Sequence, residues 1–186
     1  RDYPIEFAEV ASMSMELLTQ PWWDKFYDSE ETARARRTHL EGVIFLLPWI
    51  STIDSFQHWV YANPGHSREE RAEVWLSIRD KFGSDMDWTG HTDFRELSWQ
   101  QQGHLFGVPF YYIEYGIAQL GSLQLWKTQM SDPQKALDDY SSAMSLGNTR
   151  TLPDLFSAAD LKLGFDEGHF MSLMRTVETA LSELPT

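Results

Sequence analysis

The sequence predicts an all-α fold, and three observations support that class. No segment keeps a period-two alternation of apolar and polar residues long enough for a strand. Apolar residues recur at helical spacing instead, and capping residues, prolines and glycines separate the periodic segments. The 186 residues, of which 42% are hydrophobic, are enough for a domain with a real core. We therefore expect residues 1–186 to form a single all-α domain of about seven to eight helices.

The first two helices are marked by prolines and a capping pair. Pro4 opens a helix that runs to about Leu18, and Pro21 ends it. Asp28 followed by Glu31 resembles a capping box, in which each residue satisfies a backbone N–H of the first turn. The second helix is therefore expected to begin directly after Asp28.

An apolar stripe makes this second helix long. Pro48 interrupts the stripe and predicts a kink, and the run 63–65, Asn-Pro-Gly, stops the helix. Ser67 with Glu70 forms another capping box, which starts a helix that ends near Gly83. The residues of the stripe are Leu40, Val43, Ile44, Leu47, Ile50, Ile53 and Val60.

The middle of the chain alternates loops and helices. Residues 84–91 are predicted to form a loop, and residues 92–102 a helix. His104 then lies in a short loop. Pro109 suits a first helical turn, where its missing N–H has no intrahelical partner, and predicts a long helix to about Met130.

Three further helices complete the chain. The pair 132–133, Asp-Pro, supplies an N-cap and a first helical residue, and the pair 147–148, Gly-Asn, closes that helix. Residues 151–159 predict a short helix. Asp166 caps a last helix that ends before Pro185.

Composition excludes several classes of function. A formal net charge of −13 disfavours binding to nucleic acid and to an anionic membrane surface, both of which need clustered lysine and arginine. The most apolar run, residues 109–126, contains Glu114, Gln119 and Gln124, which favours a buried helix over a membrane span. The chain has no cysteine, so disulfides and thiolate metal sites are excluded, and a reducing, cytoplasmic location is compatible with that absence.

Two glutamates of the first helix are candidates for a site. Glu9 and Glu16 are seven residues apart and therefore share a helix face. Glu9 stands among small and apolar residues, so we expect it to be at least partly buried, which is costly for an unpaired carboxylate. Two interpretations remain open: a salt-bridged core glutamate, or a ligand of zinc, which accepts glutamate oxygens.

A second candidate region runs from His104 to Tyr115. It contains a histidine and three tyrosines, and Tyr112 and Tyr115 are three apart on the predicted helix, with Tyr111 nearly on the same face as Tyr115. Such side chains can donate hydrogen bonds to developing negative charge, as an oxyanion site requires. Taken alone, the segment favours the simpler interpretation, that these are aromatic core or interface residues whose hydroxyls are satisfied.

Both regions resemble one family. Residues 7–16, Phe-Ala-Glu-Val-Ala-Ser-Met-Ser-Met-Glu, resemble the third-ligand helix of the thimet oligopeptidase and oligoendopeptidase F family of zinc peptidases. Residues 109–116, Pro-Phe-Tyr-Tyr-Ile-Glu-Tyr-Gly, resemble that family's substrate-facing segment, and most closely its oligoendopeptidase F branch. The two motifs also follow the family's order.

The resemblance implies a role for each candidate residue. Glu9 would be the third zinc ligand, and Glu16 would either orient a ligand through a hydrogen bond or form an ion pair. His104, Tyr112 and Tyr115 would be catalytic, and the resemblance favours Tyr112 over Tyr111, although the choice depends on the register of the preceding loop. Tyr111 and Gly107 would bind substrate. The implied activity is hydrolysis of short peptides by a zinc metalloendopeptidase.

One departure from the family qualifies this expectation. The first two zinc ligands and the general base of the family belong to a His-Glu-x-x-His helix, and no two of the chain's six histidines are spaced four apart. The resemblance covers the C-terminal third of a family member. We therefore expect a fragment, inactive by itself, that starts after the zinc helix and has the remaining N-terminal part of the same enzyme as its partner.

Two other classes of protein remain as alternatives. Composition alone would allow a helical binding or interaction module without chemistry. A di-iron carboxylate bundle is disfavoured, because it requires Glu-x-x-His pairs that the chain lacks.

Overall fold

Helices supply all the regular secondary structure of residues 4–185, the residues that the computed structural model describes. The predicted all-α class is therefore confirmed. Short 3₁₀ turns follow some of the helices, at Gln20–Lys25, Ser98–Gln101 and Gly147–Thr149. The α-helices within residues 4–185 are α1 (Ile5–Leu18), α2 (Ser29–Ala62), α3 (Arg68–Phe82), α4 (Thr92–Leu97), α5 (His104–Gly107), α6 (Ile113–Ser131), α7 (Pro133–Ser145), α8 (Leu152–Ala158) and α9 (Glu167–Ser182).

Local signals set the helix starts as the sequence predicts. At α3, the Glu70 N–H donates to the Ser67 hydroxyl at 3.1 Å while the Ser67 N–H donates to the Glu70 carboxylate at 2.7 Å. The Asp132 and Asp166 carboxylates accept N–H groups of the first turns of α7 and α9, each at 3.0 Å. Pro48 lies inside α2, which continues through it.

The predicted helix start at Pro109 is wrong. Residues 108–112 form a turn, and α6 begins only at Ile113. Phe110 has φ of +61°, a left-handed conformation that cannot continue into a right-handed helix. His104, expected in a loop, instead opens the one-turn helix α5.

The described chain divides into two compact units. Unit 1 comprises the residues up to Val43 together with those from Glu114 onward, and unit 2 comprises residues 44–113. The boundaries fall inside α2 and at the first turn of α6. The prediction of one domain over residues 1–186 remains a prediction, and each unit has its own core.

The core of unit 1 packs α1 and α6 against α7 and α8. Phe7 of α1 meets Phe156 of α8 edge-on, with ring centroids 5.7 Å apart. Gly121 of α6 lies at the crossing with α1: a Cβ atom there would be 3.0 Å from Val10 Cγ2 and 3.3 Å from the Phe156 ring. A side chain at residue 121 would therefore separate the two helices.

Buried and half-buried polar side chains add specific hydrogen bonds within unit 1. The Gln129 amide of α6 donates to the Leu18 carbonyl at the end of α1, at 2.7 Å. The Arg37 guanidinium donates to the carbonyls of Leu181 and Leu184 at 3.0 and 2.6 Å, near the end of α9. Because the last carbonyls of a helix have no intrahelical donors, an arginine there is both a hydrogen-bond partner and a favourable charge.

The core of unit 2 is aromatic. Trp75 is fully buried, and Phe56 and Trp49 meet it edge-on at 5.0 and 6.1 Å. Its indole N–H donates to the Arg95 carbonyl at 2.9 Å, so its one polar atom is satisfied. The Arg79 guanidinium stacks 5.1 Å from the Trp49 ring centroid, and both burial and the charge of Arg95 lower its pKa.

Within residues 4–185, no helix combines the length and apolar character that crossing a bilayer requires.

The helix crossing at Gly121 yields a prediction about stability. Gly121→Ala should destabilise the protein by about 1 kcal/mol, because the added methyl group overpacks the contact between α1, α6 and α8. Urea unfolding of purified variants would measure the free energy.

Gly42→Ala is the matched control. Gly42 is an exposed residue inside α2 with no atom within 4 Å of the added carbon. The higher helix propensity of alanine should therefore stabilise the protein there by up to about 1 kcal/mol. Equal stabilisation by the two substitutions would show that the crossing has room at Gly121.

Candidate functional site

Glu9 lies in the middle of α1 with a half-buried side chain, as the sequence predicts. The Ser12 hydroxyl lies 3.2 Å from its Oε2 and 3.1 Å from its backbone carbonyl, one helical turn away. A glutamate carboxylate oxygen is an established ligand for zinc. The chemistry of Glu9 is therefore suitable for a hard or borderline metal cation.

Glu16 lies two turns further along α1 and is exposed. Its Oε2 lies 4.0 Å from Nδ1 of His39, a residue of α2. Burial lowers the pKa of His39 and the Glu16 carboxylate partly opposes that shift. Of the two roles considered for Glu16, the ion pair has a visible partner; the role of orienting a metal ligand remains a prediction.

Tyr115 is the third residue of α6 and is half-buried, in the same unit as Glu9. It lies six residues before Gly121, which corresponds to about 9 Å along the helix axis. Glu9 directly precedes Val10, the α1 residue at the same crossing. Both candidate residues thus lie in unit 1, on the two helices that meet at Gly121.

His104, Tyr111 and Tyr112 come together in unit 2. The His104 ring stacks on Tyr111 with centroids 5.7 Å apart and planes 25° from parallel. Tyr112 meets the same imidazole edge-on at 5.0 Å and also packs against the core around Trp75. The rings of His104, Tyr111 and Tyr112 are therefore in contact, whereas a convergence that includes Tyr115 remains a prediction.

Gln102 contacts His104 from the other side. Its Nε2 lies 2.6 Å from His104 Nδ1, and its Oε1 accepts the Trp49 indole N–H at 3.2 Å. The three side chains form a hydrogen-bonded row from the core of unit 2 to the imidazole.

A strained turn carries the two tyrosines. The Tyr111 N–H donates to the Val108 carbonyl at 3.2 Å, with Pro109 and Phe110 between them. Proline followed by a residue of positive φ is the pattern of a type II turn, in which glycine normally occupies the position that Phe110 fills. Tyr111 and Tyr112 therefore precede α6. The prediction that Tyr112 and Tyr115 share one face of a helix is wrong, because only Tyr115 belongs to α6.

Contacts of the Phe110 ring accompany this conformation. The ring lies 5.0 Å from both the His58 and the Tyr61 rings of α2. His58 Nε2 in turn lies 3.5 Å from Asp54, whose pKa is raised by burial and lowered less by His58. Residues in sparsely populated backbone conformations persist where the surroundings hold them, and they cluster at functional sites.

Gly107 ends α5 and is exposed, and a Cβ atom there would meet nothing within 4 Å. Neither steric contact nor a positive φ explains a glycine at this position. Its substrate-binding role remains a prediction.

Among residues 4–185, no three histidine, cysteine, aspartate or glutamate side chains are grouped closely enough to hold a metal ion. The role of Glu9 as a metal ligand remains a prediction.

Sequence reasoning missed Gln102, Trp49 and Phe110. Gln102 stands two residues before His104, and that proximity in sequence is a possible signal. Trp49, however, is 53 residues away from Gln102, and only the tertiary fold brings the two together. Phe110 follows a proline, which is compatible with a type II turn. The glycine that usually follows the proline in such a turn is replaced here by phenylalanine, so the sequence gives no clear sign of the turn.

Comparison with known proteins identifies the family of this chain. Residues 1–173 match peptidase family M3.

The chain belongs to peptidase family M3.

Solved structures extend the finding to the fold. An X-ray structure assigned to oligoendopeptidase F is 34% identical with a TM-score of 0.86, over 98% of this chain and 32% of its own. PZ peptidase A with an inhibitor is 32% identical with a TM-score of 0.90, over 96% of this chain and 32% of its own. A protein assigned to oligoendopeptidase F from Bacillus anthracis is 31% identical with a TM-score of 0.79, over 98% and 29%. No curated protein matches the chain.

This M3 peptidase chain spans about a third of the length of the solved structures that it matches. The expected resemblance to the oligoendopeptidase F branch is confirmed.

The turn at Phe110 yields a prediction about backbone strain. Phe110→Gly should be more stable than Phe110→Ala by about 1 kcal/mol, because both remove the ring and only glycine adopts a positive φ without cost. Urea unfolding of the two variants gives the difference.

Phe106 provides the control, since it lies in α5 and its ring is also exposed. The order should reverse there, with Phe106→Ala more stable than Phe106→Gly by up to about 1 kcal/mol. The same order at both positions would contradict a strained backbone at Phe110.

The contact of Glu16 with His39 predicts a pH dependence. Because the pKa of His39 in the folded protein lies below its usual value near 6.5, the unfolded chain binds this proton more readily. The stability contributed by neutral His39 is therefore complete above pH 6.5 and is lost as the pH falls through the lower, folded-state pKa. Glu16→Gln should lower the pKa of His39 further, as measured by NMR titration.

Glu30→Gln is the charge-matched control, because Glu30 is exposed in the first turn of α2. Its removal should leave the His39 titration unchanged. An upward shift in Glu16→Gln would contradict the proposed contact.

Proposed function

We propose that this chain is the C-terminal part of a zinc-dependent oligoendopeptidase that hydrolyses short peptides. The observation that carries the proposal is its membership of peptidase family M3, together with the two motifs at Glu9 and at residues 104–115. The identity of 31–34% with oligoendopeptidase F structures over 98% of the chain supports the same class.

In this proposal Glu9 is a zinc ligand. Its half-buried carboxylate and its contact with Ser12 fit that role, and the other ligands come from a part of the enzyme outside these 186 residues. When bound, zinc would polarise the scissile carbonyl and make its water more acidic. Glu16 either orients a ligand through a hydrogen bond or forms an ion pair with His39 when that imidazole is protonated.

The aromatic residues act on the substrate. Tyr112 and Tyr115 donate hydrogen bonds to the carbonyl oxygen as negative charge develops on it, and His104 donates to the same group or orients the peptide. Tyr111 and Gly107 bind the substrate chain. Each role requires only donors held in place, which suits phenols and an imidazole with packed rings.

The partner of the chain in this proposal is the remaining N-terminal part of the same enzyme. An open groove of about 1110 Å³ in unit 1 supports this, because large aromatic side chains line it and stay exposed. Trp22, Phe26 and Tyr27 are 49%, 81% and 48% exposed. Contiguous apolar surface of this kind marks a site of protein contact.

The same groove favours the second candidate function, a helical interaction module without chemistry. A module would retain the exposed aromatics without needing Glu9 or Tyr115. Substitutions at these two residues in the complete enzyme therefore separate the two functions.

In the complete enzyme, Tyr115→Phe should lower kcat by about 10²–10³-fold, the usual effect of losing one oxyanion donor, while zinc content stays the same. Glu9→Gln should instead lower zinc content and activity together. Peptide hydrolysis and metal analysis of the same preparations measure both effects.

Tyr140→Phe is the matched control, since Tyr140 packs against the core of unit 1 and has no role in the proposed chemistry. The 186-residue chain alone should bind zinc weakly and cleave no peptide. Unchanged turnover in Tyr115→Phe would remove Tyr115 from the mechanism, and activity of the isolated chain would refute the need for the missing ligands.

A further inference from the structure

We propose that Gln102 is a positioning residue that holds His104 in the tautomer with its proton on Nε2. The inference rests on the proposed function only in treating His104 as a substrate-facing group. The tautomer itself follows from three side chains of unit 2, namely Trp49, Gln102 and His104.

The orientation of the Gln102 amide is fixed by Trp49. An indole nitrogen can only donate a hydrogen bond, so the group 3.2 Å from Trp49 Nε1 must be the amide oxygen. The amide NH₂ group then necessarily lies on the other side, facing His104. A flipped amide would place two donors against each other at Trp49.

This orientation determines the tautomer of His104. The Gln102 Nε2 lies 2.6 Å from His104 Nδ1, and an amide NH₂ only donates. His104 Nδ1 must therefore accept, which leaves the proton of the neutral ring on Nε2.

Packing and backbone hydrogen bonds hold Trp49 and Gln102 in place. Trp49 packs against the core around Trp75, and Arg79 stacks on its ring. The Gln102 backbone N–H donates to the Trp99 carbonyl at 3.1 Å, and its carbonyl accepts the Leu105 N–H at 3.1 Å. The backbone of Gln102 therefore joins a 3₁₀ turn to α5. These two hydrogen bonds hold its Cα atom in place and so limit the positions that its side chain can take.

The consequence is chemical. A neutral imidazole with its proton on Nε2 is a hydrogen-bond donor at that atom and has its only lone pair engaged by Gln102. It can donate to an acceptor such as a peptide carbonyl oxygen, and it cannot act as a general base there. Stacking on Tyr111 and the edge contact with Tyr112 hold the plane of the imidazole ring. The hydrogen bond from Gln102 determines which ring nitrogen faces the amide.

The experiment is ¹⁵N NMR of this chain with labelled histidine, recorded near pH 9, where histidine side chains are ordinarily neutral. His104, assigned by its loss in His104→Ala, should show a protonated Nε2 and an unprotonated Nδ1. A protonated Nδ1 in the unmodified chain would overturn the proposal without any variant.

Gln102→Glu is the most informative variant, because it keeps the shape of the side chain and removes the NH₂ group that donates to His104. The carboxylate can still accept from Trp49, and it should now accept from Nδ1–H, so the tautomer of His104 should invert. Gln101→Glu adds the same charge at the exposed neighbouring residue and should leave the tautomer unchanged. Retention of the Nε2 proton in a folded Gln102→Glu chain would overturn the proposal.

Activity of the complete enzyme tests the function separately. With the tautomer inverted, kcat should fall at least tenfold in Gln102→Glu and stay unchanged in Gln101→Glu, with zinc content equal in both. If the tautomer inverts and activity stays full, the proposal that Gln102 positions His104 survives, and the role of His104 in the proposed function is refuted. An unaltered tautomer would reject Gln102 whatever the activity.

Discussion

The close crossing of α1 and α6 at Gly121 is the contact on which unit 1 depends. With no side chain at residue 121, Val10 and the Phe156 ring come within 3.0–3.3 Å of where a Cβ would stand. Glu9 is next to Val10, and Tyr115 is at the start of the same α6. A shift of either helix would therefore move a candidate metal ligand or a candidate oxyanion donor.

Unit 2 uses aromatic packing for a similar purpose. Its core around Trp75 fixes Trp49, and Trp49 determines how the Gln102 amide points towards His104. In this way the buried core around Trp75 determines the orientation of the partly exposed His104 ring. Donors held in this way are preorganised, as transition-state stabilisation requires.

Features encoded by adjacent residues were predictable, and those that depend on distant ones were not. The caps at Ser67, Asp132 and Asp166 are decided within three residues of each helix start, so the sequence predicts them and the structure has them. The pairing of Trp49 with Gln102 joins residues 53 apart and has no local signal. Residue types and spacing made Glu9 and His104 candidates but left their roles open, and only the family resemblance implied a role for each.

The error at Pro109 has a physical cause that also bears on the choice between Tyr111 and Tyr112. Proline suits both a helix start and the second position of a type II turn, and only the positive φ of Phe110 separates the two. Since both tyrosines precede α6, helical register cannot decide which one faces the substrate. Packing offers a better criterion: Tyr112 is held against the core of unit 2 and against the edge of His104. A donor that must not reorganise during reaction benefits from such anchoring, which favours Tyr112 as the donor and leaves Tyr111 to shape the surface beside it.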